Sequence, residues 1–200
     1  MKKIIFLVVL LACWVPTSRG WNLSADEQKI INVSPPLSVV LLRNEEFFHR
    51  LLKEIKESKK EIDMAMYLIR AGNVGISHRP SGSPGNRVET ILNALVNAAR
   101  RGVKVRVILE RSLEPGDTVT SDNREAGMRL KEGGVEVNFD SLRRRSHSKV
   151  VVIDSRLTFI GSHNFTEAAL GFNNELSVLI DSPECASMAK RYIASLRRRD

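Results

Sequence analysis

Cysteine is nearly absent from this chain: two in 200 residues, Cys13 and Cys185. Cys13 falls in an N-terminal stretch that reads as a leader, and a single remaining cysteine cannot close an internal disulfide. Cys185, in an amphipathic C-terminal segment, reads as a small buried apolar residue rather than a reactive thiol. No Cys/His cluster has zinc-ligand spacing, so no structural metal is expected. Long apolar runs are missing too. The run "IIFLVVLLACWV" falls short of the about 20 residues that cross a bilayer. Acidic excess is also lacking: 31 Lys and Arg against 23 Asp and Glu leave a formal charge of +8. That balance draws a protein to polyanions, whether nucleic acid, anionic lipid headgroups or cell-wall polymers, and does not choose among them.

What is present begins with Lys2 and Lys3 ahead of that apolar run and small residues after it, the pattern of a secretory signal over residues 1–20. Gly20, at the end of "SRG", fits an ordinary cleavage site. "LLAC" offers an alternative, a bacterial lipobox that would lipidate Cys13, although Leu11 suits that box poorly. Export to the periplasm or the medium is the expectation. Lys2, Lys3 and Arg19 go with the leader, so the part from Trp21 onward keeps a charge of +5.

From there strand and helix patterns alternate. "LSVVLL" and "EIDMAMYLI" read as strands on either side of "EEFFHRLLKEIKESKK", whose apolar residues at 47, 48, 51, 52 and 55 make a helical face. "RAGNVGISHRPSGSPGN" is a loop of unusual length, the kind that is either a functional lid or disordered. "RVETILNALVNAARR" is a helix closed by Gly102, and "VKVRVILE" a strand. "SDNREAGMRLKEGG" is a helix capped by Ser121 or Asp122. "VEVNF" and "ELSVLI" are strands, and "SPECASMAKRYIASLRRR" is the last helix. This alternation predicts one α/β domain over 37–200, a mixed β-sheet sandwiched between helices. The run "VVVI" suits a strand buried on both faces.

Chemistry concentrates in "HSKVVVIDSRLTFIGSHNF". A turn at Asp154-Ser155-Arg156 sets Lys149 opposite Gly161 and His147 beside His163. Residues two apart share a face, so His147 and Lys149 point together. With Gly161, Ser162 and Asn164 they gather at the open mouth of the hairpin. Asp154 lies at the other end, roughly 16 Å from Lys149 at about 3.3 Å per residue. It reads as a turn-former bonded to neighbouring amides. The cluster suits a phosphate ester. Histidine supplies a nucleophile or proton carrier near neutral pH. Lysine, the Asn amide and the Ser hydroxyl supply charge and donors for phosphoryl oxygens. Gly161 lets an anion approach the backbone.

"HSKVVVID" followed by "GSHN" resembles the HxKxxxxD–x6–GSxN signature of the phospholipase D superfamily without a gap. "AARRGVKVRVILE" and "NNELSVLI" resemble the flanking segments, so the likeness runs from about Val39 to Arg197. Short single-motif members, such as bacterial periplasmic endonucleases, look most similar. The resemblance implies a mechanism without metal or other cofactor. One His attacks phosphorus, a second protonates the leaving oxygen, and water releases the product. On this chain it implies His147 as nucleophile or acid, Lys149 and Asn164 on the phosphate, Ser162 in support, and Glu175 as a buried acid orienting His147. The signature occurs once where the chemistry needs two histidines, which implies a homodimer with one composite site.

Other residues read more plainly. His163 occupies a variable position of the motif and reads as a solvated or hydrogen-bonding bystander; His78 and His49 read as ordinary loop and surface. Glu110 stays unassigned. Arg143, Arg144 and Arg145 run into the motif and fit a charged loop or a polyanion contact equally well. Arg197, Arg198 and Arg199 read as a solvated helix end.

The favoured substrate is a nucleic acid, given the short chain, the basic charge and the Arg cluster. With aromatics at 6%, base stacking should be slight and recognition should rest on the backbone. The alternative is a phospholipase acting on anionic phospholipid, disfavoured by the lack of an obvious exposed apolar stretch. A third reading, non-catalytic polyanion binding, is weakest because every expected chemical residue is present.

Overall fold

In a computed structural model the hairpin that carries the motif occupies the middle of a seven-stranded sheet. The structure describes residues 38–71, 86–112, 114, 116–142 and 144–197. Residues 1–20, where the expected leader and Cys13 fall, most of the long loop including His78, and Arg143, Arg198 and Arg199 lie outside these residues. The strands are β1 (Ser38–Arg43), β2 (Glu61–Met66), β3 (Lys104–Leu109), β4 (Glu136–Phe139), β5 (Lys149–Ile153), β6 (Leu157–Gly161) and β7 (Leu176–Asp181). Their order across the sheet is β1-β7-β6-β5-β2-β3-β4. The trio β2, β3 and β4 is parallel, and every other pairing is antiparallel.

Five helices complete the described chain: α1 (Glu45–Glu57), α2 (Arg87–Arg100), α3 (Val119–Glu132), the short α4 (Glu167–Gly171) and α5 (Pro183–Leu196). Each forms where an apolar stripe meets a start signal. In α1, Phe47, Phe48, Leu51 and Ile55 are the buried stripe. At α2, Asn86 caps the amide of Glu89 at 3.0 Å; at α5, Ser182 caps that of Cys185 at 3.2 Å with Pro183 in the first turn. Such caps satisfy amides that the helix leaves unpaired. α3 begins two residues before the expected cap, because the Asp117 carboxylate takes the Val119 amide at 2.8 Å. Cys185 is half-buried, not buried.

Side-chain alternation along β5 splits the core. Val151 and Ile153 join the main cluster with Leu51, Ile91 and Leu95, whereas Val150 and Val152 meet Ala186, Ile193 and Leu196 of α5. Val150 through Ile153 are all buried, so "VVVI" is a strand covered on both faces as expected. The hairpin register also holds: Val150 pairs with Ile160 and Ile153 with Leu157.

α5 does not cover the whole of its face. Val39 and Leu41 of β1, Ile160 of β6 and Leu176 of β7 share that side of the sheet through the pairs Leu41–Val178 and Ile160–Val178. They are 53%, 61%, 46% and 53% exposed. An exposed apolar surface was not expected from the sequence, since it depends on which strands the last helix reaches.

Candidate active site

In open α/β sheets, ligands bind beyond the carboxyl ends of the parallel strands. Here Tyr67 follows β2, Glu110 follows β3 and Asp140 follows β4 at that edge. Because β5 and β7 run the other way, the same edge receives their beginnings, with His147 and Glu175, and the end of β6, with Ser162. The sheet thus brings one end of six strands together.

His147 and Lys149 are in direct contact. The Lys149 ammonium nitrogen lies 3.1 Å from each ring nitrogen of His147 and donates to its carbonyl at 3.0 Å. Both rest on Tyr67, whose ring centroid is 4.3 Å from the imidazole and 4.9 Å from the ammonium. The Arg145 guanidinium sits 5.4 Å from the same centroid and donates to the Tyr67 hydroxyl at 3.0 Å. Two cations thus share one ring, each inside the distance at which the ring quadrupole attracts them. Tyr67 is held in place by the Ser148 carbonyl, which accepts its amide at 2.8 Å. Asn123 of α3, fully buried, donates to the Tyr67 and Glu110 carbonyls at 2.8 Å and accepts the Ile69 amide at 2.8 Å.

Burial pulls the His147 imidazole below its ordinary pKa, and the charges of Lys149 and Arg145 push it further. Although the residue is exposed, these effects favour the neutral ring, whose lone pair a nucleophile needs. Burial lowers Lys149 as well, against the pull of the Glu175 carboxylate. Burial raises Glu110, opposed by the Ser146 amide that its carboxylate accepts at 2.7 Å. That bond, from a residue left unassigned by the sequence, fixes the chain one residue before His147.

Several of the expected residues have other partners within this chain. Glu175 is half-buried and bonds the Ser162 hydroxyl and the Asn173 amide, at 3.2 Å for the latter; no bond joins it to His147 within this chain. Ser162 and Glu175 form a unit beside the His147–Lys149 pair. Asn164 is half-buried, and its Oδ1 is buried with no hydrogen-bond partner among the described residues. Gly161 has a further reason to be glycine. A Cβ there would lie 2.2 Å from Ser177 Oγ and 2.6 Å from the Leu176 carbonyl oxygen, so β7 requires the gap. Asp154 is structural as expected, but its partners are remote. It accepts the amides of Lys59, Lys60 and Glu61 at 2.9, 2.7 and 3.1 Å, tying the hairpin turn to the start of β2.

His163 is not solvated. It is fully buried, stacks on Phe47 at 4.2 Å, donates from Nε2 to the Asn44 carbonyl at 2.9 Å and meets Ser177 Oγ at 2.7 Å through Nδ1. Burial lowers its pKa. It anchors the end of β1 to β7. His49 is exposed as expected. Arg197 is not merely solvated, since it pairs with Glu136 at 2.6 Å. Arg145 pairs with Asp117 at 2.6 Å and Glu114 at 3.4 Å, and Arg144 borders a cleft beside His147. Two polar clefts, about 440 and about 310 Å³, meet at Arg145.

The family model described as "Cardiolipin synthase, PLD-like domain" matches residues 51–197. Phospholipase D Z of Dictyostelium discoideum is 30% identical over 199 residues, covering 94% of this chain and 45% of that protein. Phospholipase D of Rickettsia conorii is 36% identical over 97 residues, 48% of this chain and 45% of that protein. The chain therefore spans less than half the length of these curated relatives. Among solved structures, Nuc, a phospholipase D family member from Salmonella typhimurium, is 26% identical with a TM-score of 0.63, over 80% of this chain and 93% of that one. This chain belongs to the phospholipase D superfamily of phosphodiesterases.

Proposed function

We propose that this chain is an exported nuclease that hydrolyses phosphodiester bonds of nucleic acid through a phosphohistidine on His147. The observation that carries the reading is the imidazole held beside Lys149, Arg145 and Tyr67, with two clefts that share Arg145 as a lining residue. His147 forms the new N–P bond while the scissile P–O bond breaks. A second imidazole, protonated before the step, gives the leaving oxygen its proton and becomes neutral; it then takes a proton from the water that cleaves the N–P bond. Lys149 and the Asn164 amide neutralise charge on the phosphoryl oxygens, as preorganised donors do. Since this chain carries the motif once, the second imidazole is His147 of another copy. No metal or other cofactor enters these steps.

A second reading, hydrolysis of anionic phospholipid, has one observation in its favour: the exposed apolar face of Val39, Leu41, Ile160 and Leu176. The test is to incubate purified protein with plasmid, single-stranded DNA, RNA and anionic phospholipid vesicles, all in excess EDTA. Cleavage of a nucleic acid supports the first reading. Release of headgroups alone replaces it with the second, and activity that needs an added divalent ion overturns the mechanism.

A further inference from the structure

The smaller cleft adjoins His147 on the side of the sheet covered by α5. Arg144, Arg145, Ser146, His147, Ser148 and Tyr192 are among its lining residues. Tyr192 is 44% exposed, and its hydroxyl meets Ser148 Oγ at 2.6 Å. Ser148 lies between His147 and Lys149 in sequence, and alternation turns it toward α5. The ring is therefore pinned through its polar end to the residue between the two reactive ones, while much of its apolar body stays in water. An exposed aromatic held at one end, two guanidiniums and a phosphate-reactive imidazole are the parts of a single-stranded nucleic-acid groove. There bases stack on aromatic rings while cations track the backbone.

We propose that this cleft is the subsite for the nucleotide next to the scissile phosphate, with Tyr192 stacking its base and Arg144 and Arg145 holding its phosphate. The inference rests on the nuclease reading and narrows its substrate to an unpaired strand, because a base inside a duplex has no free face to offer the ring. It also amends the expectation of recognition by backbone alone.

The experiment compares kcat/KM for oligothymidylate with that for methyl p-nitrophenyl phosphate, a diester too small to reach Tyr192. Tyr192→Leu is expected to lower the ratio about 5- to 150-fold, the value of one base–aromatic stack. Tyr192→Phe, which keeps the ring, should stay within about threefold of wild type. An oligomer lacking the base beside the cleavage point supplies the test on the unaltered protein, which should disfavour it by a similar factor. An unchanged ratio in Tyr192→Leu, or wild-type indifference to the missing base, overturns the subsite while leaving the nuclease reading intact. Failure of wild type to cleave any oligonucleotide, with lipid headgroups released instead, overturns both.

Discussion

The ammonium nitrogen of Lys149 stands equidistant, at 3.1 Å, from the two ring nitrogens of His147. Partial burial resists protonation of the imidazole, and an ammonium in that position acts in the same direction. The acidic limb of the pH–rate profile should therefore fall below the usual imidazole value near 6.5. The sign follows from the lone pair: a lowered pKa keeps the nucleophile free down to lower pH. Arg145→Gln removes one of the opposing charges, so its limb should move up in pH. A limb at or above the ordinary value in wild type, or one that Arg145→Gln leaves in place, would contradict this electrostatic account.

Tyr67 supports His147, Lys149 and Arg145 on a single ring. Replacing it by Leu should cut kcat/KM about two- to thirtyfold, the range of one cation–π contact. Tyr67→Phe keeps the ring and loses only the bond to Arg145, so it should recover most of that loss. Equal defects in both variants would mean that the hydroxyl, not the ring, is what matters.

Asp154 and Gly161 belong to the motif, yet their partners are structural. Asp154→Ala leaves three amides without their acceptor and should destabilise the fold by at least about 1–3 kcal/mol. Gly161→Ala drives a methyl into β7 and should cost a comparable amount. Denaturant unfolding would show both, while kcat measured well below the transition should stay near wild type. Loss of kcat at full stability would instead place either residue in the chemistry.

Much of this was legible in the sequence because it depends on local periodicity. The register of Val150 with Ile160 follows from the length of the turn, and burial of "VVVI" follows from composition. What was not legible depends on strand order and on which helix covers which strand. Tyr67 looked like one more position in an alternating strand; only the pairing of β2 with β5 sets it beside Ser148 and under His147. Asp154 finds its amides in a loop some ninety residues earlier in the chain. His163 continues the core-side face of Phe159 and Gly161, where Asn44 and Ser177, from other parts of the chain, supply its partners. The same dependence hid the apolar face beside α5.

If the site is shared between two copies, neither His147 suffices alone. Wild type and His147→Ala refolded together at equal amounts should keep about a quarter of the undiluted activity at equal total protein, since only dimers with two intact chains work. Independent sites would keep about half. Light scattering would confirm that both chains dimerise alike. A linear dependence on wild-type fraction, with random mixing confirmed, would mean that each chain carries a complete site.

The central claim is a covalent bond between His147 and phosphorus, and trapping that intermediate tests it directly. The protein is mixed with a diester substrate, quenched within the first turnover at alkaline pH, where phosphohistidine survives, digested and analysed by mass spectrometry. The account predicts a phosphorylated peptide modified at His147, lost on acid treatment and missing from His147→Ala. A label on another residue, or full activity in His147→Ala, would contradict it.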